Sequence, residues 1–437
     1  METLFKGMTV VTMGPEGVIN NAFVGVDSGK ICWVGAREPD ERADRTVDAS
    51  GKVMMPGLIN CHTHLPMAFL RGYSDDCPLQ SWLYDYIFPA EAKLDDRAVE
   101  ICARAGIAEA LSFGTTSVSD MYGHLDSVFK AAAEAGIKLN GSNGSIYLGD
   151  ESDFGFETCP DMVNMRDMHE KWHGHDGGRL KVDASVHAVY TSSYPLWDAV
   201  AEYAINNGLR LHVHVSETRT EHEECLEKYG LTPAQLLDCH NVWKTGGIAA
   251  HGVWLTREDM SLLAKRGVSV AHNPVSNQKL GSGYADVRVM SEAGVNVALG
   301  TDSVASNNNL DMFEEMKAAA IMAKNLRNDP TAVTAHQALL MATVNGAEAQ
   351  GRQSECGTIE TGKDADLILL DFDKPHLTPC HSAESGLVYA AKGSDVVMTM
   401  VRGKVLYENG RFLTLDWDKT RYELEHCVLP MIFGDRG

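Results

Sequence analysis

Along the first fifty or so residues, apolar and polar positions alternate in short segments, 8–13, 22–26 and 30–34, separated by Gly and Asn. Alternation with period two puts one set of side chains on each face of a strand, so this stretch predicts a small antiparallel sheet. The same texture returns after Gly357, in 365–370, 396–401 and 404–407. Between the two ends the pattern changes. Apolar or β-branched runs end in polar residues, and each is followed by apolar positions at helical spacing. Eight such runs succeed one another: 53–61, 114–120, 138–142, 180–186, 210–215, 247–251, 268–273 and 295–301. Asp95 and Asp96 open one intervening helix, whose Ile101, Ala105, Ala108 and Leu111 share a face before Gly114 stops it. Met312, Met316, Ala319 and Ala323 repeat that stripe over 310–325. Strands that alternate with helices pair in parallel, and eight in a row close on themselves. The expected fold is therefore α/β: a TIM-like (β/α)8 barrel over 57–356, with a small β-sandwich formed from both chain ends, 1–56 and 357–437.

Size and charge narrow the picture. A barrel of this kind takes about 250 residues, and the 437 present leave room for a satellite module. No apolar run approaches the roughly 20 residues that cross a bilayer. The N-terminus lacks the basic-then-apolar layout of a secretory signal, so a cytoplasmic protein is expected. A net charge of −22 argues against nucleic acid or membrane as a partner, but not against a small molecule held in a pocket. Ten cysteines without a CxxC pair read as reduced core thiols, Cys61 included. A homo-oligomer is compatible with all of this.

The chemistry concentrates at strand ends. Pro56-Gly-Leu-Ile-Asn-Cys-His62-Thr-His64 places two imidazoles two residues apart, on one face of the first barrel strand. They sit at its C-terminal end, where barrels keep their active sites. The fifth strand reads Leu211-His-Val-His214-Val-Ser-Glu217, with His214 nearer the rim, His212 a layer deeper and Glu217 on the following loop. The sixth ends at His251 and the eighth at Asp302. Alone, each is as well explained by a satisfied core histidine or a solvated carboxylate. Together they would be costly to bury uncompensated. His62, His64, His214 and Asp302 suit one divalent metal with a position left for water; zinc is expected, and iron or manganese would also fit.

The chain resembles the amidohydrolase superfamily, through PGLINCHTH, HVHVSET, AAH, ALGTDS and the closing GTIETGKDADL. Within it, the methylthioadenosine/S-adenosylhomocysteine deaminases are most similar, through His64-Leu-Pro-Met-Ala-Phe-Leu-Arg71-Gly72, Ser81-Trp82-Leu83, Phe88-Pro-Ala-Glu91, His272-Asn-Pro-Val-Ser-Asn277 and Ala305-Ser306-Asn-Asn308. The resemblance implies substrate contacts at Glu91 (ribose hydroxyls), His187, Glu217, Trp82 and Ser306, the last beside the catalytic Asp302. His251 is implied to position the attacking water. Binuclear members carry a lysine atop the fourth strand; here Lys181 is at the wrong end and the top reads Val186-His187, so a single metal is expected. Members that take S-adenosylhomocysteine place an arginine after the third strand, where this chain has Asn143. A preference for 5′-methylthioadenosine, 5′-deoxyadenosine or adenosine follows.

The reaction expected is hydrolytic removal of the 6-amino group of an adenine nucleoside, with Glu217, His251 and Asp302 catalytic. Guanine, aminofutalosine or triazine aminohydrolases and chlorohydrolases of the same scaffold are the rivals, with a non-catalytic scaffold protein further off.

Overall fold

At the N-terminus, β1 (Thr3–Val11) and β2 (Val18–Asp27) pair antiparallel, and β3 (Lys30–Gly35) follows on β2, as the alternation requires. β4 (Arg45–Asp48) and β5 (Lys52–Pro56) both run parallel to β1. The computed structural model describes residues 1–434.

Next come β6 (Leu58–Thr63), β7 (Thr115–Met121), β8 (Lys138–Ser142) and β9 (Leu180–Val182), which form a parallel sheet of four. β10 (Ala184–Val186), β11 (Leu211–Val215), β12 (Gly247–His251), β13 (Val268–His272) and β14 (Val297–Leu299) form a parallel sheet of five. Helices connect them, and β7, β8, β11, β12 and β13 are buried throughout, as parallel strands covered on both faces must be. The two arcs meet through isolated parallel bridges, Thr63 to Asp302 and Ser145 to Val186, rather than through continuous ladders. The arrangement is of the TIM-barrel type.

β15 (Leu367–Asp371), β16 (Val396–Val401), β17 (Lys404–Glu408) and β18 (Arg411–Phe412) complete the chain's strands. They join the N-terminal strands in one sheet of nine, ordered β18-β17-β16-β15-β5-β1-β2-β3 with β4 on β1. The chain ends therefore do meet. Their ladders run as one sheet, where two facing sheets were expected.

Two expected strands are divided. The run 53–61 breaks at Gly57, giving β5 to the nine-stranded sheet and β6 to the barrel arc. A Cβ on Gly57 would lie 2.2 Å from the Thr116 side chain, so the crossing between sheets admits only glycine. The run 180–186 breaks at Asp183, which accepts from the Asn140 amide at 3.1 and 3.2 Å.

A buried ion cluster ties the nine-stranded sheet to the barrel. Lys138, fully buried at the start of β8, lies 2.7 Å from Asp364 and 2.6 Å from Asp366, and Lys30 also reaches Asp364. All ten cysteines are free thiols, and Cys61 is packed on the helix Val344–Ala349. Among the described residues no helix is long and apolar enough to cross a membrane.

Candidate metal centre and active site

The ends of β6, β11 and β12 and the loop after β14 bring five polar side chains together. His62, His64 and Asp302 form one group of mutually close ligand atoms, and His62, His214 and His251 form another. All four sequence-predicted metal ligands are thus in one place, with His251 beside them. Asp302 Oδ1 lies 3.4 Å from His62 Nε2 and 3.2 Å from His64 Nε2. Its other oxygen accepts from the hydroxyls of Ser276 (2.6 Å) and Ser306 (2.9 Å), which leaves Oδ1 as the oxygen facing the imidazoles.

Tautomers follow from partners, because a carbonyl can only accept. His64 Nδ1 donates to Met121 O at 2.5 Å and His214 Nδ1 to His187 O at 2.8 Å, so each turns Nε2 toward the cluster as the nitrogen that would meet a metal. Among the described residues, His62 Nε2 is buried with no hydrogen-bond partner, while its Nδ1 meets His212 Nε2 at 2.9 Å. Burial holds the His62 imidazole neutral, down to about 3, and holds His214 well below its ordinary value. Neutral imidazoles and an ionised carboxylate are the donor set a divalent metal requires. At His64 burial also opposes protonation, but Asp302 outweighs it and raises the group to about 9. An arriving cation must displace that proton. The residues fit a single divalent ion.

The strand ends are strained where they carry chemistry. Ser216 (φ 49°), His251 (φ 72°) and Asp302 (φ 60°) all adopt the left-handed region without being glycine. Such residues persist only where surrounding contacts over-determine them.

A cavity of about 340 Å³ opens from this cluster, lined by His64, His214, His251 and Asp302 at one end and by Trp82, Glu91, His187 and Glu217 elsewhere. Glu217 is buried, and burial raises its carboxyl above the ordinary range, against the pull of His251 3.9 Å away. Ser282 donates to its Oε1 at 3.3 Å. Burial likewise raises Glu91, which accepts from the Tyr122 hydroxyl at 2.6 Å. His251 Nδ1 contacts Asn277 Oδ1 at 2.8 Å and therefore donates to it, which turns Nε2 toward the cavity.

Ser306 departs from expectation. It is fully buried behind Asp302 and does not line the cavity; Ser303 does. Its hydroxyl is used on the aspartate, so it is a positioning residue rather than a substrate contact.

Four further residues serve the site without having been singled out. Ser276 and Asn277 belong to the His272–Asn277 motif, a signal to which no role was attached. Glu221 accepts from the backbone N–H of Ser216 and of Glu217, fixing the loop that carries Glu217. Asp120 lies near the end of β7 beside His64, with Oδ1 accepting from Leu65 N–H at 2.6 Å and, among the described residues, Oδ2 unpartnered, and burial raises it to about 7. Nothing local in the sequence distinguishes these last two from ordinary carboxylates.

The profile of the amidohydrolase family matches residues 53–406. The chain is 43% identical over 417 residues to a 5-methylthioadenosine/S-adenosylhomocysteine deaminase of Moorella thermoacetica, covering 94% of this chain and 96% of that one. It is 43% identical over 432 residues to a 5′-deoxyadenosine deaminase of Methanosarcina acetivorans, covering 99% and 98%. Among solved structures, an adenosine deaminase from Xanthomonas campestris with bound zinc superposes with a TM-score of 0.92 at 32% identity, over 99% of this chain and 98% of that one.

Proposed function

The chain belongs to the amidohydrolase family, and on that premise we propose that it hydrolytically deaminates adenine nucleosides at C6, giving the inosine derivative and ammonia. One observation carries the reading: His64, His214 and Asp302 of the proposed metal set, backed by the buried His62, open with a protonatable Glu217 and the hydroxyl acceptor Glu91 onto a single cavity. Its volume lies within the usual range for small-molecule sites.

His62, His64, His214 and Asp302 would hold one ion, zinc by analogy with the relative of known structure. When bound, it supplies Lewis-acid activation of water near neutral pH. Asp302 takes a proton from the attacking water. Glu217 enters as the acid and protonates ring N1, which draws charge away from C6. His251, held by Asn277, orients the water and steadies the tetrahedral centre. The proton on Asp302 passes to the amino group, ammonia leaves, and the remaining hydroxyl proton returns to the enzyme to restore Glu217. Glu91 accepts from the ribose hydroxyls, while Trp82 and His187 wall the base. The same proposal reads the two arcs as one (β/α)8 barrel over 57–356. It reads 1–56 and 357–437 as one discontinuous module built on the nine-stranded sheet, and places the protein in the cytoplasm.

The test is ammonia release from adenosine, 5′-deoxyadenosine, 5′-methylthioadenosine, S-adenosylhomocysteine and guanine, with elemental analysis alongside. About one equivalent of divalent metal per chain and turnover of nucleosides well above guanine are expected. Two tightly held equivalents would refute the mononuclear site, and turnover of guanine alone would refute the nucleoside assignment.

A further inference from the structure

Among the described residues, the cavity wall that continues past Glu91 carries a carboxylate and no strong cation. Tyr122, whose hydroxyl holds Glu91, donates its backbone N–H to Ser142 O at 2.9 Å, and the lining runs on through Asn143, Gly144, Ile146 and Asp161. Among the described residues neither lysine nor arginine lines the cavity, and His124 at its edge is turned to Asp96. Arg71 and Arg166 are committed elsewhere: Arg71 to Glu109 and Asn308 O, and Arg166 to Glu157 and the face of Phe156.

Asn143 has little left to offer a ligand. Its Oδ1 accepts from the hydroxyls of Ser145 and Ser185, both at 3.1 Å, and its Nδ2 donates to Asp161 O at 3.0 Å. Two acceptances fill the lone pairs of an amide oxygen, so Asn143 braces the turn that presents Asp161. Asp161 opens the helix Pro160–Trp172, and its Oδ2 accepts from Ile146 N–H at 2.7 Å. Among the described residues no donor reaches its Oδ1.

If the nucleoside reading puts C6 at the metal cluster and the ribose on Glu91, the wall beyond Glu91 is what remains for the 5′ end. We propose that Asp161 makes that end selective by charge, admitting neutral or cationic 5′ substituents and rejecting anionic ones. The inference rests on the nucleoside reading above and names its substrate class: adenine nucleosides without a 5′ carboxylate or phosphate. Two unit charges roughly 6 Å apart at an effective dielectric constant near 20 alter binding about a hundredfold, less once salt screens them.

Three probes of similar size test it: 5′-deoxyadenosine, 5′-amino-5′-deoxyadenosine and adenosine-5′-carboxylate, neutral, cationic and anionic in turn. In the metal-loaded protein kcat/KM should fall from the amine to the carboxylate by roughly tenfold to a hundredfold. Asp161→Asn keeps an oxygen for Ile146 N–H and should shrink that spread about tenfold. The wild-type spread should also narrow with added salt, a reading independent of how the variant folds. An unchanged spread in a folded Asp161→Asn protein, a spread indifferent to salt, or a wild-type preference for the carboxylate would overturn the inference. Deamination of the neutral probe in any of these cases leaves the nucleoside reading standing; deamination of none of the three removes both.

Discussion

Glu217 separates chemistry from architecture at the level of a single side chain. Glutamine in its place keeps the hydrogen-bonding reach toward Ser282 but has no proton for N1. Glu217→Gln should lower kcat by roughly 10²–10⁴, with metal content and thermal stability close to wild type. Turnover near the wild-type rate would move the acid elsewhere. The direction of its shift also fixes a pH effect. Burial raises the Glu217 carboxyl, so the acid form survives to higher pH than in an ordinary glutamate and is lost as pH climbs through the raised value. The pH profile of kcat/KM should therefore carry an alkaline limb of one proton, and that limb should vanish in Glu217→Gln. At this scale His62, His64 and His214 were readable because a strand's period of two assigns their faces outright. Asp120 and Glu221 were not, since their roles depend on which backbone N–H groups the fold brings to them.

Elements hold these side chains in register, and β11 with β12 is the pair that matters most. Their parallel ladder sets His214 against Ala250 and Val215 against His251. Gly247 begins β12 at φ 144°, and a Cβ there would lie 2.1 Å from Leu211 O, a backbone atom that cannot swing aside. Gly247→Ala should therefore spread the two strands at their base. The backbone conformation alone costs about 1–3 kcal/mol, and the clash adds to it. Loss of folded protein, or a folded protein with reduced metal content, is expected by differential scanning calorimetry with elemental analysis. Wild-type stability and metal content would show that the ladder tolerates the change. Strand existence was legible from apolar runs, but the breaks at Gly57 and Asp183 were not. The first run stays apolar across its break and the second resumes with β-compatible residues after Asp183, and the change of sheet goes with contacts to Thr116 and Asn140, far away in sequence.

Across the whole molecule the barrel and the nine-stranded sheet are joined by charge buried out of reach of water. Lys138 neutralises Asp364 and Asp366 from the foot of β8. Removing one partner of such a cluster strands the others, so Lys138→Met should lose about 3–5 kcal/mol of stability, read from the guanidinium midpoint. Burial raises Asp364, yet Lys138 and Lys30 prevail and hold its carboxyl below the ordinary carboxylate range. Its contribution is present above that ordinary value and lost as pH falls through the depressed one. The gap between Lys138→Met and wild type should accordingly narrow in acid, where protonated carboxyls no longer need the lysine. A gap that stays constant or widens there would mean the lysine acts through packing. By itself the sequence determined the α/β class and the series of parallel strands, and it pointed to the residues proposed to hold a metal, because each is written in local periodicity or in polar residues at strand ends. Only the tertiary structure decided that the two chain ends share one sheet, that Ser306 serves Asp302 rather than the substrate, and that Asp161 faces the cavity. Those outcomes depend on contacts between segments distant along the chain or on the conformation of loops, neither of which a local pattern encodes.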